Sequence, residues 1–305
     1  MSSAVGIRVY SLTLYEKGSK SPVPFHGTSK AQPPANFISE FCAGHLTTTA
    51  NEERERSWYI EQKAKGTSGN IKGYIHYGTF GFESNFVDSK TKKKNYRRKV
   101  TDVEEIPLYF EFWCPPESNH GYAVFQSFQG RSCVQLLASK MKEDYESKNK
   151  HFYLNFKKLM PSGGPGGLFG GQPVKRLRLI RRNVSSDLAD QYFGTKGSDP
   201  IDYELSLSAR RSRSLGSLGT IKQSVSSVAD GMLVFEGLEF DQAVADIRIG
   251  KKVRPIAILN HNSDAGVIDL SESIEKGVDG HPTYDSLASE VSDILKEFHT
   301  IMSGS

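Results

Sequence analysis

The densest group of chemically useful residues in this chain is basic and lies at 90–99. The segment KTKKKNYRRK holds seven Lys or Arg in ten positions, with one tyrosine among them. Lysine and arginine displace counterions from a phosphate backbone, and an aromatic ring beside them can stack on an unpaired base. The run therefore predicts a nucleic-acid contact at a loop or hairpin tip, although a solvated loop is an equally open interpretation. The residues expected to make the contact are Lys92, Lys93, Lys94, Tyr96, Arg97, Arg98 and Lys99.

A second basic run, KRLRLIRR at 175–182, alternates arginine with apolar residues. That alternation predicts a strand that presents arginines on one face. A third arginine cluster follows one strand later, so all three clusters could serve one nucleic-acid surface. The alternative is a strand with one buried face and one solvent face, on which arginine is ordinary surface charge. The arginines expected on the surface are Arg176, Arg178, Arg182, Arg210, Arg211 and Arg213.

Glu61 and Lys63, in the segment YIEQKAK, have the acid-x-Lys spacing found on a nuclease strand. In such a site the carboxylate binds Mg²⁺ and the lysine positions the phosphate or the attacking water. No aspartate precedes Asp88, so the usual upstream metal ligand is missing. On an alternating strand the same pair is more typical of surface charge.

His261, Asp264 and Asp269 form the other polar cluster, in the segment LNHNSDAGVID. Imidazole and carboxylate groups at this spacing could build an acid/base or metal site. The surrounding Asn, Asp and Gly residues favour a turn whose side chains cap their own backbone. The sequence lacks the P-loop ending GK[ST] and the hydrolase motifs GxSxG and HExxH. We therefore expect no cofactor, and Mg²⁺ only if the protein is a nuclease.

Alternation of apolar and polar residues predicts the strands that must position these groups. In the first half the expected strands cover 7–14, 58–65, 72–82, 106–113, 122–128 and 151–159. In the second half they cover 174–181, 203–209, 233–238, 246–249 and 253–259. Apolar residues at three- and four-residue spacing predict helices at 36–46, 134–146, 186–193 and 284–302. The fold class is therefore α+β, with antiparallel pairing expected.

Residues 161–173, PSGGPGGLFGGQP, interrupt this pattern with six Gly and three Pro. Glycine and proline keep such a stretch out of helices and central strands, so we expect a linker. It would separate a strand-rich basic domain at 1–160 with flanking helices from a smaller α+β domain at 174–305 that ends in a helix. The segment before the linker carries a net charge of +7 and the remainder of the chain −3. The region 223–305 alone carries −8, so an acidic C-terminal region is expected.

Composition places the chain among globular proteins of the cytoplasm. No run reaches the roughly 20 apolar residues of a membrane span, and the N-terminus alternates like a strand and does not look like a signal peptide. Three cysteines without CxxC spacing argue against a disulfide framework and against a zinc site. We expect no membrane partner.

Four segments, in their order along the chain, resemble uncharacterised bacterial proteins carried in anti-phage defence islands. They are IRVYSLTLYE, GYAVFQSFQGRSCVQLLASKM, VKRLRLIRRNVSSDLAD and GHPTYDSLASEV. The resemblance spans most of the chain as an order of elements and brings no catalytic signature. It implies a cytoplasmic protein that senses or handles nucleic acid or a phage protein beside partner subunits.

These observations favour a nucleic-acid-binding protein of a defence or mobile-element system. A Mg²⁺-dependent nuclease is the second hypothesis. The third is a protein-interaction subunit whose acidic C-terminal region docks a basic partner. DNA or RNA preference and the oligomeric state are left open.

Overall fold

The computed structural model describes residues 5–26, 28, 30–53, 55–65, 69–116, 118–160, 168–184, 201–211, 213–226, 233–260 and 266–303. Over these residues the protein is strand-rich α+β with extensive antiparallel pairing, which confirms the predicted class. The chain divides into two compact units. The central unit comprises Tyr10–Lys157, and the terminal unit comprises Met1–Val9 together with Lys158–Ser305.

The central unit is a sheet with two helices. The bounds are β1 (Val5–Glu16, shared with the terminal unit), β2 (Pro22–Val23), β3 (Thr49–Asn51), β4 (Arg56–Lys65), β5 (Asn70–Thr79), β8 (Glu104–Trp113), β9 (Gly121–Phe128) and β10 (Phe152–Lys158), with α1 (Pro34–Gly44) and α2 (Val134–Lys148). The order of the strands in the sheet is β1-β9-β8-β5-β4-β3, and β2 and β10 also pair with β1. Between β5 and β8 the chain makes a separate two-stranded hairpin, β6 (Ser84–Val87) and β7 (Lys94–Arg98).

Aromatic side chains from α1, α2 and the sheet form the core of the central unit. The ring of Phe37 on α1 meets Tyr145 of α2 edge-on, at 5.0 Å between centroids. Phe41, one turn later, stacks on Trp58 of β4. The two helices therefore cover the face of the sheet that carries Trp58 and Ile60, because alternation directs both residues to the same side.

The terminal unit contains a second run of paired strands. The bounds of its elements are β11 (Arg176–Val184), β12 (Ile201–Ser208), β15 (Gln242–Ile249), β16 (Lys252–Asn260) and β17 (Ile268–Asp269), with α3 (Leu218–Ser226), α4 (Tyr284–Ser303) and the separate hairpin β13 (Leu233–Phe235) and β14 (Leu238–Phe240). The paired strands follow the order β12-β11-β15-β16-β17-β1. Gly6 of β1 lies opposite Asp269 of β17, so the start of the chain completes this unit.

A buried ion pair joins α4 to the sheet of the terminal unit. Arg254 of β16 is fully buried and donates from Nη2 to Glu290 Oε2 on α4 at 2.6 Å. Lys252 Nζ contacts the other carboxylate oxygen. Burial opposes ionisation of Glu290, but these two cations outweigh it and the pKa of the carboxyl is lowered.

Most predicted elements are present with shifted ends, and two predictions need correction. The predicted strand at 233–238 is a hairpin, because Glu236 and Gly237 take left-handed backbone angles and turn the chain. The strand predicted at 246–249 begins earlier, at Gln242. The helix predicted at 186–193 lies outside the described residues. Among the described residues no helix is long and apolar enough to cross a membrane.

The predicted Gly/Pro linker is described only from 168 onward. There Phe169 is buried and meets Phe298 of α4 edge-on at 4.9 Å between centroids. Leu218 N–H donates to the Gln172 carbonyl at 2.9 Å. This part of the segment is therefore packed within the terminal unit, whereas the linker role of the whole segment stays a prediction.

Candidate nucleic-acid interface

The basic run at 90–99 forms the tip and the second strand of the β6–β7 hairpin. Phe86 lies opposite Tyr96 and Ser84 opposite Arg98, with one register irregularity between Phe86 and Val87. Alternation along the two strands therefore directs Phe86, Tyr96 and Arg98 to one face.

One aspartate orders the tip of this hairpin. Asp88 Oδ1 accepts hydrogen bonds from the backbone N–H of Thr91 at 2.6 Å and of Lys90 at 3.0 Å, and from the Thr91 hydroxyl at 2.9 Å. These bonds, those of Thr91 foremost, lower the pKa of the Asp88 carboxyl. Lys92 has φ +58°, a left-handed conformation that glycine or asparagine usually supplies. The tip is thus a defined turn with a lysine at its strained position.

The lysines of the hairpin are exposed, and none of them forms an ion pair with an acidic side chain among the residues that the structure describes. They are Lys90, Lys92, Lys93, Lys94 and Lys99. Arg97 is also exposed but binds Glu83 at 2.6 Å. Exposed cations without an acidic partner attract a phosphate backbone.

The structure corrects the prediction that Arg98 contacts nucleic acid. Its side chain is 1% exposed, because the guanidinium turns inward and donates to the Thr79 and Asp102 carbonyls. It also lies 4.3 Å from the centroid of the Phe82 ring and 3.4 Å from Glu104 Oε2. Arg98 therefore anchors the base of the hairpin and is unavailable to a phosphate.

Aromatic side chains accompany the exposed cations. Phe86 is 46% exposed and Tyr96 is 51% exposed, and their ring centroids lie 6.1 Å apart. The Tyr96 hydroxyl donates to Asp102 Oδ2, and this bond raises the pKa of the tyrosine. Tyr96 is predictable from the sequence because it lies within the basic run. Phe86 lies outside that run, and only the pairing of GFESNFVDS with KNYRRK across a turn identifies it as part of the same surface.

A concavity of about 590 Å³ opens on the same face of the hairpin. Phe86, Tyr96 and Val103 provide its apolar lining. Asp102 and Glu104 bring carboxylates to it. Arg98 and Thr101 complete the lining, so the pocket combines a ring surface with carboxylate acceptors, an engaged guanidinium and a hydroxyl.

The arginines of β11 are held by acidic neighbours. Arg176 Nε donates to Asp246 Oδ2 at 2.8 Å, and Arg178 lies 3.8 Å from the other oxygen of that carboxylate. Arg182 binds Asp202 at 2.9 Å. Their charge is therefore largely compensated within the terminal unit. The exposed arginines of the turn that follows β12 are Arg210, Arg211 and Arg213.

The catalytic candidates Glu61 and Lys63 lie on β4 and contact each other directly. Glu61 Oε2 also lies 2.8 Å from His76 Nε2 on β5, and Glu105 Oε1 of β8 lies 3.1 Å from the opposite ring nitrogen. Hydrogen bonds from Lys63 and then His76 lower the pKa of Glu61. The His76 imidazole thus lies between the carboxylates of Glu61 and Glu105. The spacing of these residues in the sequence does not predict this contact.

The other catalytic candidates are not brought together in the described structure. Asp269 Oδ1 accepts from the Ser271 N–H at 2.8 Å, a local turn contact. His261 and Asp264 lie outside the described residues. Among the residues that are described, no three His, Cys, Asp or Glu side chains are grouped so that they could hold a metal ion.

Burial removes the cysteines from consideration as nucleophiles. Desolvation raises the pKa of Cys42, Cys114 and Cys133 to about 12, so their thiols stay protonated at neutral pH.

Comparison of the sequence with known protein families finds no family model that matches, and comparison with curated proteins finds no match.

Proposed function

We propose that this protein binds single-stranded nucleic acid through the β6–β7 hairpin. The observation that carries the proposal is the combination, on one hairpin, of exposed lysines that form no ion pair with the described residues and of exposed Phe86 and Tyr96. Cations hold the phosphate backbone, and rings stack on bases that a duplex would hide.

The two basic regions differ in the charge available to a ligand. On β11, a nucleic acid would have to compete with the largely buried Asp246 for Arg176 and Arg178, whereas the pair of Arg182 with Asp202 is exposed and weak. Among the exposed cations of the hairpin, all of which lie in the described residues, only Arg97 forms an ion pair, with Glu83, and that pair is exposed and weak. The hairpin is therefore the primary interface, and Arg210, Arg211 and Arg213 are a secondary contact.

The biological setting in this proposal is a bacterial anti-phage defence or mobile-element system. Its support is the resemblance of the four quoted segments to defence-island proteins. In that setting the hairpin would sense or hold nucleic acid beside partner subunits in the cytoplasm.

The test is a triple substitution, Lys92→Ser, Lys93→Ser and Lys94→Ser, assayed by fluorescence anisotropy with labelled single-stranded DNA and RNA. We expect weaker binding and a log K against log salt slope that is smaller by about 0.7 for each lost contact. The matched control is Lys20→Ser, Lys30→Ser and Lys150→Ser, which removes the same charge from exposed positions of the same unit. Equal slopes for the two triple variants would reject the hairpin as the interface.

The same titration addresses the two alternatives. Mg²⁺-dependent degradation of the oligonucleotide that is lost in Glu61→Gln would favour the nuclease. Absence of any nucleic-acid binding, together with capture of a basic protein partner, would favour the protein-interaction subunit.

A further inference from the structure

The open concavity on the β6–β7 hairpin combines rings with polar side chains, the kinds of group that contact a nucleobase. Phe86 and Tyr96 give it an aromatic wall, and Val103 adds an apolar surface. A ring that stacks there leaves its polar edge facing Asp102 and Glu104. The hydrogen bonds that these two carboxylates can accept determine which base the pocket binds.

The Asp102 carboxylate is ionised, and only one of its two oxygens accepts hydrogen bonds from the described residues. Its Oδ2 accepts from the Lys99 backbone N–H at 2.8 Å and from the Tyr96 hydroxyl. The Lys99 bond and then the Tyr96 bond lower the pKa of the carboxyl. Its Oδ1 receives no hydrogen bond from the described residues. A carboxylate has about four acceptor sites, so Asp102 retains capacity for a ligand.

Glu104 adds further acceptor capacity at the same wall. Arg131 occupies Oε1 at 2.5 Å, and Arg98 approaches Oε2 at 3.4 Å. The pocket edge therefore presents acceptors held in place by arginines that are themselves engaged. A ligand edge rich in N–H donors is complementary to the free Asp102 oxygen, and a carbonyl placed against that oxygen would be repelled, because the donors of Arg98 at this wall are already engaged.

We propose that this pocket selects guanine from single-stranded nucleic acid, an inference that rests on the proposed function. Guanine is the standard base that offers two adjacent N–H donors, N1–H and the N2 amino group, on its pairing edge. Adenine and cytosine offer an amino group beside an acceptor nitrogen. Uracil flanks its single N–H with two carbonyls, which would face the carboxylates.

A cationic peptide side chain is the competing occupant for a pocket of rings and carboxylates. The neighbouring lysines argue against it, because they repel a basic peptide and attract a phosphate backbone. A nucleotide satisfies both features, since its phosphates meet the lysines while its base meets Asp102.

The experiment compares a labelled uridine homopolymer with the same oligomer carrying one central guanosine, and repeats the comparison with the deoxy versions. We expect about tenfold tighter binding of the guanosine oligomer, as for one well-formed pair of base contacts. Replacing that guanosine with inosine, which lacks the N2 amino group, should remove most of the gain. Because inosine tests the contact without altering the protein, a folding defect cannot imitate this result.

Variants then assign the preference to the pocket. Asp102→Asn places an amide N–H₂ against the guanine donors and should bring the affinity ratio close to one. The Lys92, Lys93 and Lys94 triple variant should weaken both oligomers and keep the ratio, and the Lys20, Lys30 and Lys150 control should match the wild type. Equal wild-type affinity for both oligomers, or a ratio unaffected by Asp102→Asn, would overturn the guanine pocket while leaving the binding function intact. If the wild type bound neither oligomer, both proposals would fall.

Discussion

At the scale of single residues, Lys92 shows a conflict between stability and ligand binding. A lysine in the left-handed region pays about 1–2 kcal/mol that glycine avoids, partly offset by the greater freedom of glycine in the unfolded chain. We expect Lys92→Gly to raise the free energy of unfolding by up to about 1 kcal/mol and to weaken oligonucleotide binding. Chemical denaturation and anisotropy on the same variant measure both effects. A variant that loses stability would show that the turn does not depend on this backbone conformation.

Arg97 and Arg98 are sequence neighbours with opposite environments. The Arg97 pair with Glu83 is exposed, so Arg97→Ala should change the free energy of unfolding by about 0–1 kcal/mol. Arg98→Ala leaves the Thr79 and Asp102 carbonyls without their buried donor and should cost about 2–4 kcal/mol. Urea unfolding of the two variants makes the comparison, and equal costs would mean that Arg98 does not anchor the hairpin.

The sequence identifies the charge of this run but not the direction of each side chain. Lys94, Tyr96 and Arg98 share a face in any strand, yet only contacts with Thr79 and Asp102 bury Arg98 while Tyr96 stays half exposed. Those contacts depend on where β5 ends and where β8 begins. The same holds for His76, whose two carboxylate neighbours come from β4 and β8.

At the scale of elements, the attachment of α4 to β16 depends on the buried pair Arg254 and Glu290. Glu290→Gln leaves a buried arginine without its counter-charge and should lower the free energy of unfolding by about 3–5 kcal/mol. Thermal or urea unfolding at neutral pH measures this loss. Val291→Ala, an adjacent buried position on α4 without charge, is the control for loss of helix packing.

The pH dependence of this pair has a definite sign. The pKa of Glu290 is lowered from its ordinary value of 4.5, so its contribution is fully present above pH 4.5 and is lost as the pH falls through the lowered value. The wild type should therefore lose more stability than Glu290→Gln between pH 4.5 and more acidic conditions. Parallel stability curves over that range would contradict the pair's role.

Elements were predictable wherever periodicity was strong. The apolar stripe of Leu287, Val291 and Phe298 predicts α4 almost to its ends. The sequence pattern predicts one strand where the structure has the β13–β14 hairpin, because Glu236 is an unusual residue for a left-handed turn. The β6–β7 pairing is likewise absent from local patterns, since Asp88 and Thr91 build its turn without glycine.

At the scale of the whole molecule, the terminal unit is discontinuous in sequence. Leu270 N–H donates to the Val5 carbonyl and Leu159 N–H to the Val9 carbonyl, both at hydrogen-bond distances of 2.8–2.9 Å. A fragment of residues 161–305 contains Leu270 without Val5, and it lacks both Leu159 and Val9. We therefore expect this fragment not to unfold cooperatively. Residues 10–157 contain the complete central unit and should do so. Circular dichroism during urea titration compares the two fragments, and cooperative unfolding of 161–305 would favour the Gly/Pro segment as a domain boundary.

The place of Val5 has a consequence for synthesis on the ribosome. Its N–H donates to the hydroxyl of Ser271, 266 residues later, so the segment VGIRV is synthesised long before its partners on and after β17. The central unit can fold as soon as its own residues have emerged, while Val5, Gly6 and Ile7 lack these partners until residues 268–271 have been translated. A nascent chain of this kind presents the apolar side chains of Val5 and Ile7 to chaperones over that interval, and the pairing of β1 with β17 forms late in folding.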